Sequence, residues 1–190
     1  MGDCPLNLFA MSYNKDIFKY QYVIAQDFIR HLAYYRQLHS ALSGKSSFWT
    51  ATANAHLEAA ILDWCKVFGA TGNNVTHWTN IPLEDVESVQ NNFRNAILKT
   101  TGMSLIEWGQ YHAEMLGFRD RYVAHLEIGN IPSVPFFDRA LKIAFAYDKW
   151  IREVINHDSL EAKSLEELYK NSSKEAADVI RSAKGVTPNS

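Results

Sequence analysis

The sequence contains little cysteine, proline or glycine. Its two cysteines, Cys4 and Cys65, are too few for a disulfide framework or a four-cysteine zinc site. Five prolines and nine glycines in 190 residues argue against a sandwich or barrel built on many turns. Hydrophobic residues make up 47% of the chain, which is enough for a sizeable core. The composition therefore favours one domain with few turns.

The chain also lacks an excess of one charge and a long apolar run. It has 19 Lys and Arg against 21 Asp and Glu, so contact with nucleic acid would need a local patch. No run approaches the roughly 20 apolar residues that span a bilayer. The N-terminus has no basic region followed by a hydrophobic stretch, as a signal peptide would have. We therefore expect a cytoplasmic protein without membrane contact.

Apolar residues recur at helical spacing along most of the chain. We predict an all-α bundle of about five main helices, with one or two extra C-terminal helices. The predicted domains are an N-terminal arm over 1–15, a bundle over 16–156, and a C-terminal appendage and tail over 157–190. The predicted main helices cover about 16–42, 47–68, 82–102, 104–127 and 136–155.

Local motifs mark several helix ends. Ser104-x-x-Glu107, Ser164-x-x-Glu167 and Ser172-x-x-Glu175 are capping boxes, and each predicts a helix start. Pro82 suits the first position of the third helix. The segment 69–72, Gly-Ala-Thr-Gly, is similar to a glycine clamp on a nucleotide backbone. It lies where the second helix must stop, so we interpret it as a C-terminal cap.

The motifs of common cofactor and metal chemistry are missing. The sequence has no P-loop, no dinucleotide fingerprint and no Gly-x-Ser-x-Gly elbow. No glutamate precedes a histidine by three residues, as bundle metal sites require. His31 and His39 are eight residues apart and could share a face, but we expect partly exposed imidazoles there. The sequence therefore predicts no cofactor and no metal.

The segment from Phe118 to Glu127 is the most informative part of the chain. On an α-helical wheel it continues an apolar stripe, and Arg119 falls inside the apolar arc. His125 falls at the edge of that arc, and Asp120 points away. A lone charge is costly to bury. Arg119 must therefore extend to the surface, pair with a carboxylate of another helix, or lie at an interface with a polar centre.

Spacing limits what one copy of this helix can do. Arg119 and His125 are six residues apart, about 9 Å along the axis and about 120° around it if the helix is continuous. One helix holds the two side chains near each other without superposing them. Two copies crossing at a dyad would place two arginines and two histidines around one ligand. That arrangement suits an isologous homodimer.

The run Arg119-Asp-Arg-Tyr-Val-Ala-His125 resembles the Arg-x5-His form of the HEPN domain signature. Phe118 before it and Leu126-Glu127 after it are similar to the abortive-infection branch of that family. HEPN domains are all-α bundles with the motif late in the bundle, as here. Family members often carry asparagine after the arginine, where this chain has Asp120.

The resemblance implies a metal-independent endoribonuclease that acts as a homodimer, in a toxin–antitoxin or antiviral-defence setting. It assigns Arg119 to clamping the phosphate and stabilising the transition state, and His125 to general acid or base catalysis. Asp120 would orient one of them. Arg121 would contact the RNA backbone, or be an ordinary solvated arginine. Tyr122 lies on the buried stripe, where we expect it to pack.

A second function class stays open at this point. HEPN-like bundles also act as non-catalytic interaction or dimerisation modules, and the near-neutral charge of this chain suits such a role. The partner would then be an antitoxin or a nucleotidyltransferase. Whether the His125 side chains of a dimer face an open cleft or are sealed in packing would separate the two classes.

Overall fold

The computed structural model describes residues 12–42, 44–124, 133–155 and 162–185. These residues form six α-helices and no strand. The prediction of an all-α bundle is confirmed. None of the described helices is both long enough and apolar enough to cross a membrane. The helices are α1 (Lys15–Leu42), α2 (Ser47–Phe68), α3 (Val86–Thr101), α4 (Leu105–Phe118), α5 (Phe137–Val154) and α6 (Leu165–Ala183).

Capping residues fix the starts of three helices. The Ser46 side chain accepts a hydrogen bond from the first turn of α2. Ser104 and Glu107 form a complete capping box at α4, and Ser164 and Glu167 form another at α6. These side chains satisfy amide groups that have no partner within the helix. Two of the three predicted capping boxes, at Ser104 and Ser164, are therefore confirmed.

Helix α2 ends at Gly69 for a steric reason. The Gly69 amide donates to the Cys65 carbonyl oxygen over 3.0 Å. A Cβ atom at residue 69 would collide with that same oxygen. Only glycine fits so close to the preceding turn. The capping interpretation therefore accounts for Gly69. It does not explain Gly72, where a Cβ atom would meet no atom within 4 Å.

Helix α3 begins at Val86, four residues later than the prediction that placed Pro82 at its first position. Pro82 instead forms an isolated bridge with Tyr13. Two backbone hydrogen bonds, from the Asn14 amide to residue 81 and from the residue 83 amide to Ser12, hold the segment extended. This pairing is long-range, so the local proline signal did not reveal it.

The C-terminal appendage contains one described helix, α6, which packs along α1. The prediction that Ser172 caps a separate helix is wrong, because Ser172 is buried in the middle of α6. Glu175, its expected partner, accepts a hydrogen bond from Tyr34 of α1 instead. Leu165, Ala176 and Ile180 share the buried face of α6, and this apolar stripe continues straight through Ser172.

Aromatic side chains pin the loop between α2 and α3 to the core. Trp78 lies in a short 3₁₀ turn, Trp78–Asn80, and is buried. Its ring centroid is 4.8 Å from that of Phe93 in α3, and Phe93 stacks on Trp150 of α5 at the same distance. Such pairs stabilise beyond simple area burial. The loop is consequently fixed by tertiary packing although it lacks regular secondary structure over most of its length.

A buried carboxylate joins three helices. Asp148 of α5 accepts hydrogen bonds from the Tyr22 hydroxyl of α1 over 2.8 Å and from Arg152 over 3.1 Å. Its other oxygen accepts from the Leu165 amide in the first turn of α6 over 3.3 Å. Arg152 also donates to the Tyr22 hydroxyl. Burial, and then the Asp148 carboxylate, hold the pKa of Tyr22 well above its usual range, against the opposing Arg152 charge.

Replacing Asp148 should destabilise the bundle strongly. The Asp148 side chain is only 7% exposed, and Asp148→Ala removes the acceptor shared by the buried Tyr22 hydroxyl, Arg152 and the Leu165 amide. We expect a loss of about 3–5 kcal/mol in the free energy of unfolding, measured by urea denaturation. The control is Asp178→Ala, which breaks the exposed pair with Arg181 and should cost less than about 1 kcal/mol. Equal losses in both variants would contradict the assignment.

Candidate functional site

The predicted signature begins where α4 changes its helical type. After Phe118 the backbone forms a π-helical turn over Arg119–Ala124. The prediction of one regular helix to about residue 127 is therefore wrong in its geometry, and an α-helical wheel does not describe this turn. A π-helical turn is rare, and such turns occur frequently at functional sites. His125, Leu126 and Glu127 lie outside the described residues.

Arg119 is compensated by the residue next to it. The Asp120 Oδ1 atom lies 2.8 Å from Nε and 2.7 Å from Nη2 of Arg119. The arginine side chain is 30% exposed and the aspartate side chain 55%. The sequence analysis expected a carboxylate from another helix as one possibility, and that partner is not the one observed. Asp120 thus orients the guanidinium while leaving part of it open to solvent.

Helix α2 provides the buried side of the site. Cys65 is buried in the core. Burial raises the pKa of the Cys65 thiol to about 12. The nearby Arg119 charge opposes that rise and the Asp120 charge adds to it. The Arg119 guanidinium therefore pairs with the exposed Asp120 carboxylate and also acts electrostatically on the buried, neutral Cys65 thiol.

Arg121 folds back along α4. Its Nε donates to the Gly117 carbonyl oxygen over 3.2 Å, and a Cβ at Gly117 would lie 3.1 Å from Arg121 Nη2. The Arg121 residue is exposed, so its charge remains accessible. Tyr122 packs its ring on Phe118 at a centroid distance of 4.8 Å and lies against the core. Tyr122 therefore packs against the core, as expected from its place on the apolar stripe.

The apolar stripe of α4 is used inside the protomer. Tyr111, Met115 and Phe118 are each at most 1% exposed and belong to the main core. The sequence analysis left open that the apolar arc lies at an interface, and the structure covers these three residues with the chain's own helices. The outer face of α4 is different, because Leu105 and Ile106 are 68% and 74% exposed. Any dimer contact of α4 must use that outer face.

The described histidines do not assemble a metal site. His31 contacts His56 of α2, with their Nδ1 atoms 2.8 Å apart, whereas the His39 ring packs near Tyr35. Since one Nδ1 must donate and the other accept, this contact needs one shared proton. Burial, and then His31, lower the pKa of His56. Within the described ranges, no group of three histidine, cysteine, aspartate or glutamate residues is arranged to hold a metal ion.

Comparison with protein-family models, curated proteins and solved structures finds no match to this chain. The interpretation of the site therefore depends on its residues and their geometry. Sequence reasoning identified Arg119 and Asp120 but missed Cys65 as their neighbour. The one available signal was its place in the apolar pattern of α2, which indicated burial without indicating a partner.

The Cys65 thiol offers a direct test of this geometry. In a Cys4→Ser variant, Cys65 is the only thiol. A thiol with a pKa of about 12 is almost wholly protonated at about pH 8. A disulfide reagent such as dithionitrobenzoate should therefore react at least about a hundredfold more slowly with the folded protein than with the chain unfolded in guanidinium chloride. Comparable rates would show that α2 does not bury this side of the site.

Proposed function

We propose that this chain is a metal-independent endoribonuclease of HEPN type, acting as a homodimer in a toxin or antiviral-defence system. The observation that supports this proposal most is the arrangement of the Arg119 side chain. Its guanidinium is fixed by Asp120, lies at a π-helical turn and is partly exposed. It precedes His125 by the spacing that the HEPN resemblance requires. A purely structural arginine would gain little from an exposed partner on the same turn.

RNA carries its own nucleophile, so the reaction needs few protein groups. The 2′-hydroxyl adjacent to the scissile phosphate attacks phosphorus, and the 5′-oxygen of the next nucleotide leaves. His125 would transfer a proton to or from one of these oxygens, because imidazole titrates near neutral pH. Arg119 would hold the non-bridging oxygens and stabilise the additional negative charge of the transition state. The products are a 2′,3′-cyclic phosphate and a 5′-hydroxyl.

Asp120 and Arg121 have supporting roles in this proposal. Asp120 Oδ1 lies close to two nitrogens of the Arg119 guanidinium, and the other N–H donors of the fork can meet a phosphate. Asp120 is thus a positioning residue that sets the direction of the fork. Arg121 is an exposed residue of the same turn and would contact a neighbouring phosphate of the RNA backbone.

Activity should depend on the chemistry of each side chain. His125→Ala should lower the cleavage rate about 10²–10⁴-fold, because a proton-transfer group is lost. Arg119→Lys keeps the charge but loses the planar fork, so it should also fail. Asp120→Asn should reduce kcat more than it raises KM, since it misdirects the fork without removing it. The assay measures cleavage of mixed RNA with and without EDTA.

The controls separate a folding defect from a chemical one. Each variant must keep the wild-type free energy of unfolding and the wild-type oligomeric state in solution. Arg139→Lys makes the same exchange at a half-buried arginine over the Tyr111 ring, outside the proposed site, and should cleave normally. If wild type and His125→Ala cleave equally, or if no folded form cleaves any RNA, the ribonuclease proposal fails. The non-catalytic interaction module then accounts better for the chain.

The homodimer should involve the outer face of α4. Leu105 and Ile106 form an exposed apolar pair on its first turn, and burying such residues drives association. Sedimentation velocity at micromolar concentration should show a dimer for wild type and a monomer for the Leu105→Glu, Ile106→Glu double variant. Val179→Glu changes an exposed apolar residue of α6 and should remain dimeric. A monomeric wild type would contradict the prediction.

A further inference from the structure

An open cleft of about 380 Å³ lies where α2, the following loop, α3 and α4 meet. This volume is within the range of small-molecule sites, near its lower end. Gly69 to Gly72 form one wall, and Trp78 and Arg94 form another. Helix α4 contributes its first two turns. The lining includes the segment 69–72 whose second glycine the capping interpretation does not explain.

The walls combine aromatic rings with an uncompensated positive charge. Trp78 is held in the core by Phe93, and Trp108 on the α4 side is half-buried. The Arg94 guanidinium lies over the Trp78 ring, 5.5 Å from its centroid. Its hydrogen-bond partners, Asn91 and Gln90, are neutral. No carboxylate in the described ranges pairs with Arg94, so its charge is available at the cleft.

Several hydrogen-bonding groups of the cleft are also unused. The backbone amides of residues 70–72 donate to no acceptor in the described part of the chain. His112 Nε2 lies 3.0 Å from the Phe68 carbonyl oxygen. A carbonyl can only accept, so Nε2 carries the proton, and Nδ1 of the neutral ring is an acceptor for a donor group of a ligand, not for its anionic group. Anions bind readily to such clusters of amide and guanidinium groups.

His77 supports this wall as a neutral residue. It is buried, and its Nδ1 lies 2.7 Å from the Thr79 hydroxyl oxygen. Burial lowers the pKa of His77 to about 4. A hydrogen bond with the Gly69 backbone opposes this shift, and the smaller contributions of His112 and Arg94 add to it. His77 therefore carries no charge at neutral pH, and it fixes the loop without competing with Arg94 for an anion.

Gly109 on α4 keeps the mouth of the cleft open. A glycine inside a helix costs about 0.5–1 kcal/mol relative to alanine. Packing does not demand it here, because a Cβ at this position would meet no atom within 4 Å. Nor does Gly109 adopt a positive φ angle. The remaining consequence of the missing side chain is space beside Trp108.

We propose that this cleft binds a planar aromatic anion, with the ring against Trp108 and the anionic group at Arg94 and the amides of residues 70–72. The ring gains stacking and apolar contact, and the carboxylate or phosphate gains charge-assisted hydrogen bonds. The site is preformed, since Trp78 and the loop are pinned to the core. This inference is independent of the ribonuclease proposal and uses none of its residues.

Calorimetric titration tests the site with two probes of different origin. Indole-3-acetate represents an aromatic carboxylate, and adenosine 5′-monophosphate represents an aromatic phosphate. At least one should bind about tenfold or more tightly than its neutral ring or its anion alone, namely indole, adenosine, acetate and inorganic phosphate. The preferred probe identifies the class of natural ligand. The proposal would be overturned if neither probe showed saturable binding. It would also be overturned if a neutral ring alone or an anion alone bound as tightly as the probe that contains it.

Matched variants locate the binding. Arg94→Gln should weaken the preferred probe about tenfold or more, and Gly109→Leu should abolish binding by filling the mouth. Arg139→Gln removes another arginine over an aromatic ring, and Gln110→Leu adds the same leucine one residue along the exposed face of α4. Both controls should bind like wild type. Circular dichroism and the molecular mass in solution should confirm that each variant is folded and has the wild-type oligomeric state. Equal affinity in Arg94→Gln and Arg139→Gln would place the ligand elsewhere.

Discussion

The Asp148 carboxylate is the interaction on which the arrangement of the helices depends. It is buried in α5 and receives hydrogen bonds from Tyr22 of α1 and from the first turn of α6. A buried carboxylate is tolerated only when its oxygens are satisfied. Each helix that supplies a donor is therefore held in one register. The position of α6 along α1 follows from this constraint as well as from its apolar stripe.

Rigid elements carry both candidate sites. Helix α2 holds Cys65 beside Arg119, and three residues later Phe68 lines the cleft. The aromatic cluster around Phe93 fixes the loop that follows. A site on such supports needs little reorganisation when a ligand binds. The π-helical turn is the exception, because it departs from regular helical geometry and itself contains Arg119 and Asp120 of the proposed active site.

The sequence predicted features that depend on neighbouring residues and missed those that depend on distant ones. The starts of α4 and α6 were predictable because a capping box is complete within four residues. The late start of α3 was not, because residues near Tyr13 hold Pro82 in an extended segment. Ser172 matched a capping motif, but the apolar stripe of α6 carries the helix through it.

In the candidate site too, the features set by neighbouring residues were predictable and those set by distant residues were not. A motif resemblance singled out Arg119 and Asp120, and their contact between adjacent residues is local. A regular helical wheel could not anticipate the π-helical turn, so it placed Arg119 too deep in the apolar arc. The cleft beside Trp108 joins four separate segments of the chain. Only tertiary packing brings them together, and the isolated segment 69–72 gave a single weak sign of it.

The end groups of the cleaved RNA test the central claim most directly. Attack by the 2′-hydroxyl leaves a 2′,3′-cyclic phosphate on one product and a 5′-hydroxyl on the other. Mass spectrometry of products formed by the wild-type protein in EDTA should detect that pair. An RNA with one 2′-deoxy sugar at the cleavage position should resist. Products ending in a 3′-hydroxyl and a 5′-phosphate, or cleavage of the deoxy-substituted strand at the same position, would contradict the account.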